Sequence, residues 1–307
     1  MLNYSFLCIK LIEDNMKNLI NYYYGLLIKE FKKVDESFVF SIDNKVYEFI
    51  PFYGDINKFY KNYSLLISNN KYCHEVIFNK DKQLLTLYGK KQYLLLKKNI
   101  CINKLVDIDE ILNYNIPVYG IQSLNWKKLW ENKIDYYEYQ MSQLAIKYKK
   151  IRNSFDYYVG LSETAISLLN YIDNNNITYY ICHRRIRYGE KLDEFFNPIN
   201  IVIDSRVRDI AEYIKVNYFN ENINIDFILN FIDNLNLNYT ESILLLARLL
   251  YPSYYFDIYD QIIQDKIRDD KIDIYIKKNT SYEMFLKKIY IFLKSKYKLP
   301  EIEWLAN

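Results

Sequence analysis

The residues best suited to chemistry crowd into one short stretch. The 307-residue chain carries 33 Lys but only 8 Arg, and five of those arginines (Arg184, Arg185, Arg187, Arg206 and Arg208) lie between positions 184 and 208. A guanidinium offers carboxylates or phosphates a planar fork of donors that an ammonium cannot imitate, so arginine used against a lysine-rich background marks positions where geometry matters. Asp204, Asp209 and Glu212 share the stretch. The simplest role of the set is Arg–carboxylate pairing that ties a loop to the helix after it. The alternative is a pocket for a phosphate or for a partner's acidic side chain. His183 ends an apolar run, the usual setting of a structural histidine. Cys182 beside it points to the opposite face of an extended strand, so the two do not form a nucleophilic pair.

The elements that must position these side chains follow from the hydrophobic periods. Two β-like runs, 177–182 and 199–203, flank the loop that holds Arg184, Arg185, Arg187 and Gly189. Helical patterns surround them at 124–150, 153–174, 205–218, 224–235, 239–251 and 281–296. The N-terminal third is different. A short amphipathic helix at 7–20 precedes a hairpin of 37–42 and 46–50 around the polar turn Asp43-Asn44. Pro51 is expected to end the second strand. A helix at 55–68 and strands at 74–78, 83–88 and 92–97 complete a sheet of about five antiparallel strands. The expected division is a β-rich domain over 1–100 and a helical domain over 101–307.

Composition narrows the function classes. Half of the residues are apolar and only 6 Gly and 5 Pro occur, so the chain is neither fibrous nor disordered. A net charge of +3, from 41 basic against 38 acidic residues, advertises neither nucleic-acid nor membrane-surface binding. No apolar run approaches the roughly 18 residues of a membrane span, and the first ten residues lack the features of a secretory signal, so a cytoplasmic protein is expected. Four scattered Cys and two His give no zinc-site spacing. The abundance of Tyr, Ile, Asn and Lys follows from AT-rich coding. Trp126 and Trp130, four apart in a helical pattern, read as one core stripe. The Tyr136–Tyr139 run reads as part of a helix and not as a base-stacking platform. Lys147, Lys149 and Lys150 suit the negative end of the long helix.

The order of parts carries a resemblance. A β-rich N-terminal section, a helical C-terminal section, a strand ending in His183-Arg184-Arg185 and a second strand ending in Ile203-Asp204 together resemble the protein-kinase-like fold, and more closely its aminoglycoside-phosphotransferase branch. Within it the chain is similar to the kinase-like spore-coat group of Firmicutes, the CotS/YutH type. The passages concerned are Ser154-Phe-Asp-Tyr-Tyr-Val-Gly-Leu-Ser-Glu-Thr-Ala-Ile166, Asp204-Ser-Arg-Val-Arg-Asp-Ile-Ala-Glu-Tyr-Ile214, Ala247-Arg-Leu-Leu-Tyr-Pro252 and Leu299-Pro-Glu-Ile-Glu-Trp-Leu305. They follow the family order across the C-terminal two thirds. The resemblance implies an α+β, bilobed protein-kinase-like fold with a small antiparallel N-lobe and a larger, mainly helical C-lobe.

It also implies parts that the sequence lacks. Phosphoryl transfer in this fold needs a loop over the phosphates, a strand lysine, an aspartate to orient the nucleophile and ligands for Mg²⁺. Positions 26–53 hold no glycine. The strand Val46-Tyr-Glu-Phe-Ile-Pro-Phe52 supplies no cation, and Lys45 before it reads as a turn residue. Arg185 stands where the His-x-Asp loop places its aspartate, and Glu190 stands where a second metal ligand is expected. Asp204 alone matches a metal position, and Asp209 matches the aspartate that secures the loop through backbone N–H groups near His183. Arg206 and Arg208 are assigned to loop support, and no residue of His183-Arg184-Arg185 is assigned as catalytic. Arg185 is expected to pair with Asp204 or Asp209.

The implied protein is therefore a pseudokinase: a binding or scaffold component with no expected cofactor. Its partners would be other proteins, spore-coat components among them if the organism sporulates, with neither nucleic acid nor membrane. The alternative is an active small-molecule phosphotransferase using ATP and Mg²⁺, in which Asp193, Glu190 or Asp204 takes over the base and metal roles.

Overall fold

A computed structural model describes residues 14–69, 71–99, 104–120, 124–144, 147–173, 177–220 and 223–306. The chain forms two compact units. The first comprises Met1–Val106 with Lys191–Ile201, and the second Asp107–Glu190 with Val202–Asn307.

The first unit is an antiparallel sheet. Its strands are β1 (Phe31–Val34), β2 (Ser37–Ile42), β3 (Lys45–Phe52), β4 (Glu75–Ile77), β5 (Leu85–Tyr88) and β6 (Lys91–Lys98), in the order β1-β2-β3-β6-β4 with β5 also on β6. Six strands stand where about five are expected, because the polar run of β1, Phe-Lys-Lys-Val, gives no alternating signal. Asp43 and Asn44 both have positive φ, the left-handed geometry that a two-residue hairpin demands and that Asp and Asn tolerate. Lys45 opens β3 opposite Ile42 and is not a turn residue. Pro51 does not end β3. It pairs with Tyr93 of β6 beyond Phe49, the last β3 residue that β2 reaches, so one side of the strand has no ladder to complete there.

β6 is the centre of the sheet. One edge meets β3, while the other is shared by β5 at Lys91–Leu94 and β4 at Leu95–Lys97. Its continuous apolar run Tyr93–Leu96 is buried on both faces. Residues 14–24 are helical and place Met16 and Ile20 against Phe38, Phe49 and Leu95; the part of the expected 7–20 helix before residue 14 lies outside the described residues. The helix at Ile56–Ser68 starts on the Asp55 carboxylate, which accepts from the N–H groups of Asn57 and Lys58 at 2.8 and 3.2 Å.

The segment Lys191–Ile201 belongs to this unit although it follows the arginine loop in sequence. The His74 N–H donates to Phe196 O at 3.1 Å, and Asn62 Nδ2 donates to Ile201 O at 3.2 Å. His74 Nε2 lies 2.7 Å from Asp193 O, and Lys98 pairs with Asp193 and Glu48 at 2.9 and 3.3 Å.

The second unit is helical around a three-stranded sheet, β7 (Pro117–Val118), β8 (Tyr179–His183) and β9 (Ile201–Asp204). With residues 14–24 as α1 and Ile56–Ser68 as α2, the following helices in chain order are α3 (Ile108–Tyr114), α4 (Trp126–Leu144), α5 (Lys149–Leu168), α6 (Leu192–Phe195), α7 (Val207–Asn220), α8 (Ile225–Asn234), α9 (Tyr239–Leu250) and α10 (Ser253–Ile263), of which α4, α5, α7, α9 and α10 matter to the site. The expected 124–150 helix is two elements: Lys149 and Lys150 open α5 instead of closing α4, and Lys147 pairs with Asp265 at 2.8 Å. The central element is α9, buried all round from Glu241 to Leu250 and started by a capping box between Asn238 and Glu241. Trp126 and Trp130 lie in its core, as the four-residue spacing predicts, and Tyr137 is buried between exposed Tyr136 and Tyr139.

Candidate functional site: an arginine–carboxylate centre

The site grows from the ends of β8 and β9 and from the first turn of α7. β8 delivers His183, β9 delivers Asp204, and in the first turn of α7 stands Asp209, fully buried. Asp209 Oδ1 accepts the His183 backbone N–H at 2.9 Å, and its Oδ2 lies 2.9 Å from the His183 ring Nδ1. A carboxylate can only accept here, so Nδ1 carries the proton. Asn115 Nδ2 adds a third bond to Asp209 at 3.1 Å while donating to Ile181 O at 2.8 Å. One carboxylate thus fixes the strand end, the ring and the segment before β7.

Arg208, one residue earlier, closes the other side. Its guanidinium donates to His183 O at 2.8 Å, to Arg184 O at 2.9 Å and to Asp204 Oδ2 at 2.8 Å. The remaining oxygen of Asp204 accepts from Ser205 N–H at 2.7 Å and from the Arg248 guanidinium. Burial alone would raise the pKa of Asp204, but Arg248 and Arg208 overcome it and hold the carboxyl below the ordinary range. Arg248 rises from the last turn of α9, with its guanidinium carbon 5.7 Å from the Trp126 ring centre and 5.8 Å from that of Trp130.

Arg185 does not pair with Asp204 or Asp209. Those carboxylates are already saturated by Arg208, Arg248, His183 and Asn115, and Arg185 turns to α10. There Nε and Nη2 grip Asp257 at 2.5 and 2.9 Å, with Glu212 at 3.8 Å. Burial acts to raise Glu212, yet Lys215, 2.8 Å away, and Arg185 bring it down to about 2. Lys215 is buried too and donates to Ser253 Oγ at 2.6 Å. Arg206 points elsewhere, forking onto Glu241 at 2.7 and 2.9 Å at the start of α9. Glu190 turns its carboxylate back onto the Arg187 N–H at 2.9 Å, and Asp193 belongs to the first unit, on Lys98.

The structure therefore brings His183, Arg184, Arg185, Asp204, Arg208 and Asp209 into one centre and leaves Arg206 to a helix cap. The residues not read from the sequence as members are Arg248, Asp257, Lys215 and Asn115. Arg248 had a signal: an arginine inside the apolar run Ile243–Leu250 must meet a buried anion. Asn115 had none. The donor set does not suit Mg²⁺, a cation that takes oxygen ligands and one or two free carboxylates. Both oxygens of Asp204 face guanidinium groups, and among the described residues no three His, Cys, Asp or Glu side chains converge on a metal position.

The fold is that of the kinase-like phosphotransferases. An aminoglycoside phosphotransferase from Alicyclobacillus acidocaldarius subsp. acidocaldarius DSM 446 superposes with a TM-score of 0.63 over 91% of this chain and 96% of that one, at 10% identity. A spectinomycin phosphotransferase solved with ADP and spectinomycin gives 0.56 over 91% and 97%, at 13% identity. The chain belongs to the spore coat putative kinase YutH family, whose profile matches residues 17–289. It is 24% identical over 339 aligned positions, 95% of this chain and 98% of the relative, to the endospore coat-associated protein YutH of Bacillus subtilis (strain 168).

Proposed function

We propose that this spore-coat-family protein keeps the kinase-like fold without the transfer reaction, and serves the coat as a binding or scaffold component that recruits other coat proteins. It works without ATP or Mg²⁺, is made in the cytoplasm and is deposited with the coat. The observation that carries this reading is the charge at two positions. Arg185 stands where a transferase of this fold orients its nucleophile with an aspartate, and it is locked onto Asp257. Asp204, the one matching metal position, is neutralised by Arg208 and Arg248. A guanidinium accepts no proton, and a carboxylate held by two of them offers Mg²⁺ no free oxygen. Proteins are the favoured partners because the near-zero charge balance suits no polyanionic surface, and no helix among the described residues is long and apolar enough to cross a membrane.

The test is incubation of the intact chain with ATP and Mg²⁺, read as phosphate release and as the thermal midpoint. No release and no rise in the midpoint are expected, since only a ligand bound by the folded state raises it. Mg²⁺-dependent release that disappears in Asp204→Ala would overturn the proposal in favour of an active small-molecule phosphotransferase.

A further inference from the structure

The second unit holds two cavities that share Arg185, Arg208, Glu212 and Lys215 in their walls: an inner one of about 90 Å³ and an outer one of about 640 Å³. Their chemistry is one-sided. Seven Lys and Arg side chains line them, against four carboxylates that either line them or pair with those cations. Among the described residues Arg184, Arg187 and Lys133 have no ion pair, and Arg248 shares its single carboxylate with Arg208. Two polar groups of the inner wall, Arg248 Nε and Tyr251 Oη, are buried without a hydrogen-bond partner, in residues only 7% and 6% exposed. Buried donors left unmade are costly, and a donor on a cation most of all. The inner cavity has room for a few waters or for one tetrahedral oxyanion.

The outer cavity differs in its far wall, which is aromatic. Phe219, Tyr254 and Tyr275 form a chain of rings with centroids 4.2 and 5.0 Å from Phe219. A site whose inner end is cationic and donor-rich and whose outer end is apolar matches a ligand with a phosphate at one end and an aromatic group at the other.

We infer that this unit binds an aromatic phosphate monoester, with the phosphoryl group in the inner cavity against Arg248, Tyr251 and Lys133 and the ring in the outer cavity against Phe219 and Tyr254. This rests on the preceding reading of the unit as a binding module that turns nothing over. The excess of cations supplies the charge for a dianion, and Arg208 and Arg185, already held by Asp204 and Asp257, are pre-organised to face it.

The test uses the intact chain without nucleotide or metal, titrated with phenyl phosphate by calorimetry. Saturable one-site binding is expected, with phenol, the same ring and oxygen without the phosphoryl group, not bound. Lys133→Met should weaken it about tenfold, the loss of one charge-assisted contact; Lys133 is exposed and makes no ion pair, so this variant folds. Lys128→Met, an equal charge change on the exposed face of the same helix, should leave affinity within about twofold. A phosphotyrosine peptide binding tighter than phenyl phosphate would support the site and assign the ligand to a modified protein; weaker binding would support it and assign a small molecule. Absence of saturable binding, or equal weakening by Lys133→Met and Lys128→Met, overturns the inference. The ATP and Mg²⁺ assay is scored separately, so turnover would remove the preceding reading whatever the phenyl phosphate result.

Discussion

Each unit buries one histidine, 1% exposed, beside an aspartate, but the two aspartates carry different loads. Asp209 in the second unit is inaccessible and accepts from three donors: the His183 N–H, the His183 ring and Asn115. Asp193 in the first unit is 17% exposed, sits 3.5 Å from the His74 ring by its carboxylate and spends its charge on Lys98, which Glu48 shares. The first arrangement is a lock made of hydrogen bonds to one acceptor. The second is a small ion network reached by solvent. The difference teaches that burial sets the stakes: the same pair of residue types is costly to break where no water can replace the lost partner, and cheap where it can.

The sharpest way to break the comparison is Asp209→Ala, which strands three donors at once. A loss of about 3–5 kcal/mol is expected in urea unfolding, and a loss under 1 kcal/mol would show that the lock does not hold the loop. Next comes Arg185→Asp, which supplies the aspartate that the proposed function finds missing but sets it against Asp257 and Glu212. It should cost about 2 kcal/mol through like-charge contact and orphaned carboxylates and should give no phosphate release from ATP. Recovery of release would mean that one residue separates this protein from an active transferase. In the first unit Lys98→Met should cost about 1 kcal/mol, because Asp193 and Glu48 keep partial access to water.

The smallest effect is one of pH. Burial holds His74 below its ordinary value of 6.5, against the opposing pull of Asp193. The unfolded chain therefore takes up a proton near pH 6.5 that the folded chain refuses, so this contribution to stability is intact above that pH and lost as pH falls through the lower, folded value. Thermal midpoints followed from pH 7.5 downward should decline less steeply in His74→Gln than in the parent. Equal slopes would assign the decline to other groups.

The outline of the molecule was legible where short-range rules act. Asp43-Asn44 announces its hairpin and the Trp126/Trp130 spacing its core stripe, because turn geometry and helical period are set within a few residues. β1 escaped because its middle residues are lysines, and α10 was passed over although Asp257 and Asp260 break its run of Tyr, Phe and Ile at helical spacing. Within the site the positions of His183 and Asp209 followed from a strand end and a helix start, each read locally. The partner of Arg185 did not: Asp257 lies 72 residues away on a helix whose facing side only packing decides.

By itself, then, the amino-acid order determined the strand-to-helix succession, the basic run His183-Arg184-Arg185 at a strand end and the concentration of arginine around one loop. The tertiary structure decided which anion each guanidinium meets and where cations are left in excess. Local conformation depends on neighbours in the chain, whereas charge pairing depends on which faces are pressed together after the apolar surfaces have been buried, and a one-dimensional pattern holds no record of that choice.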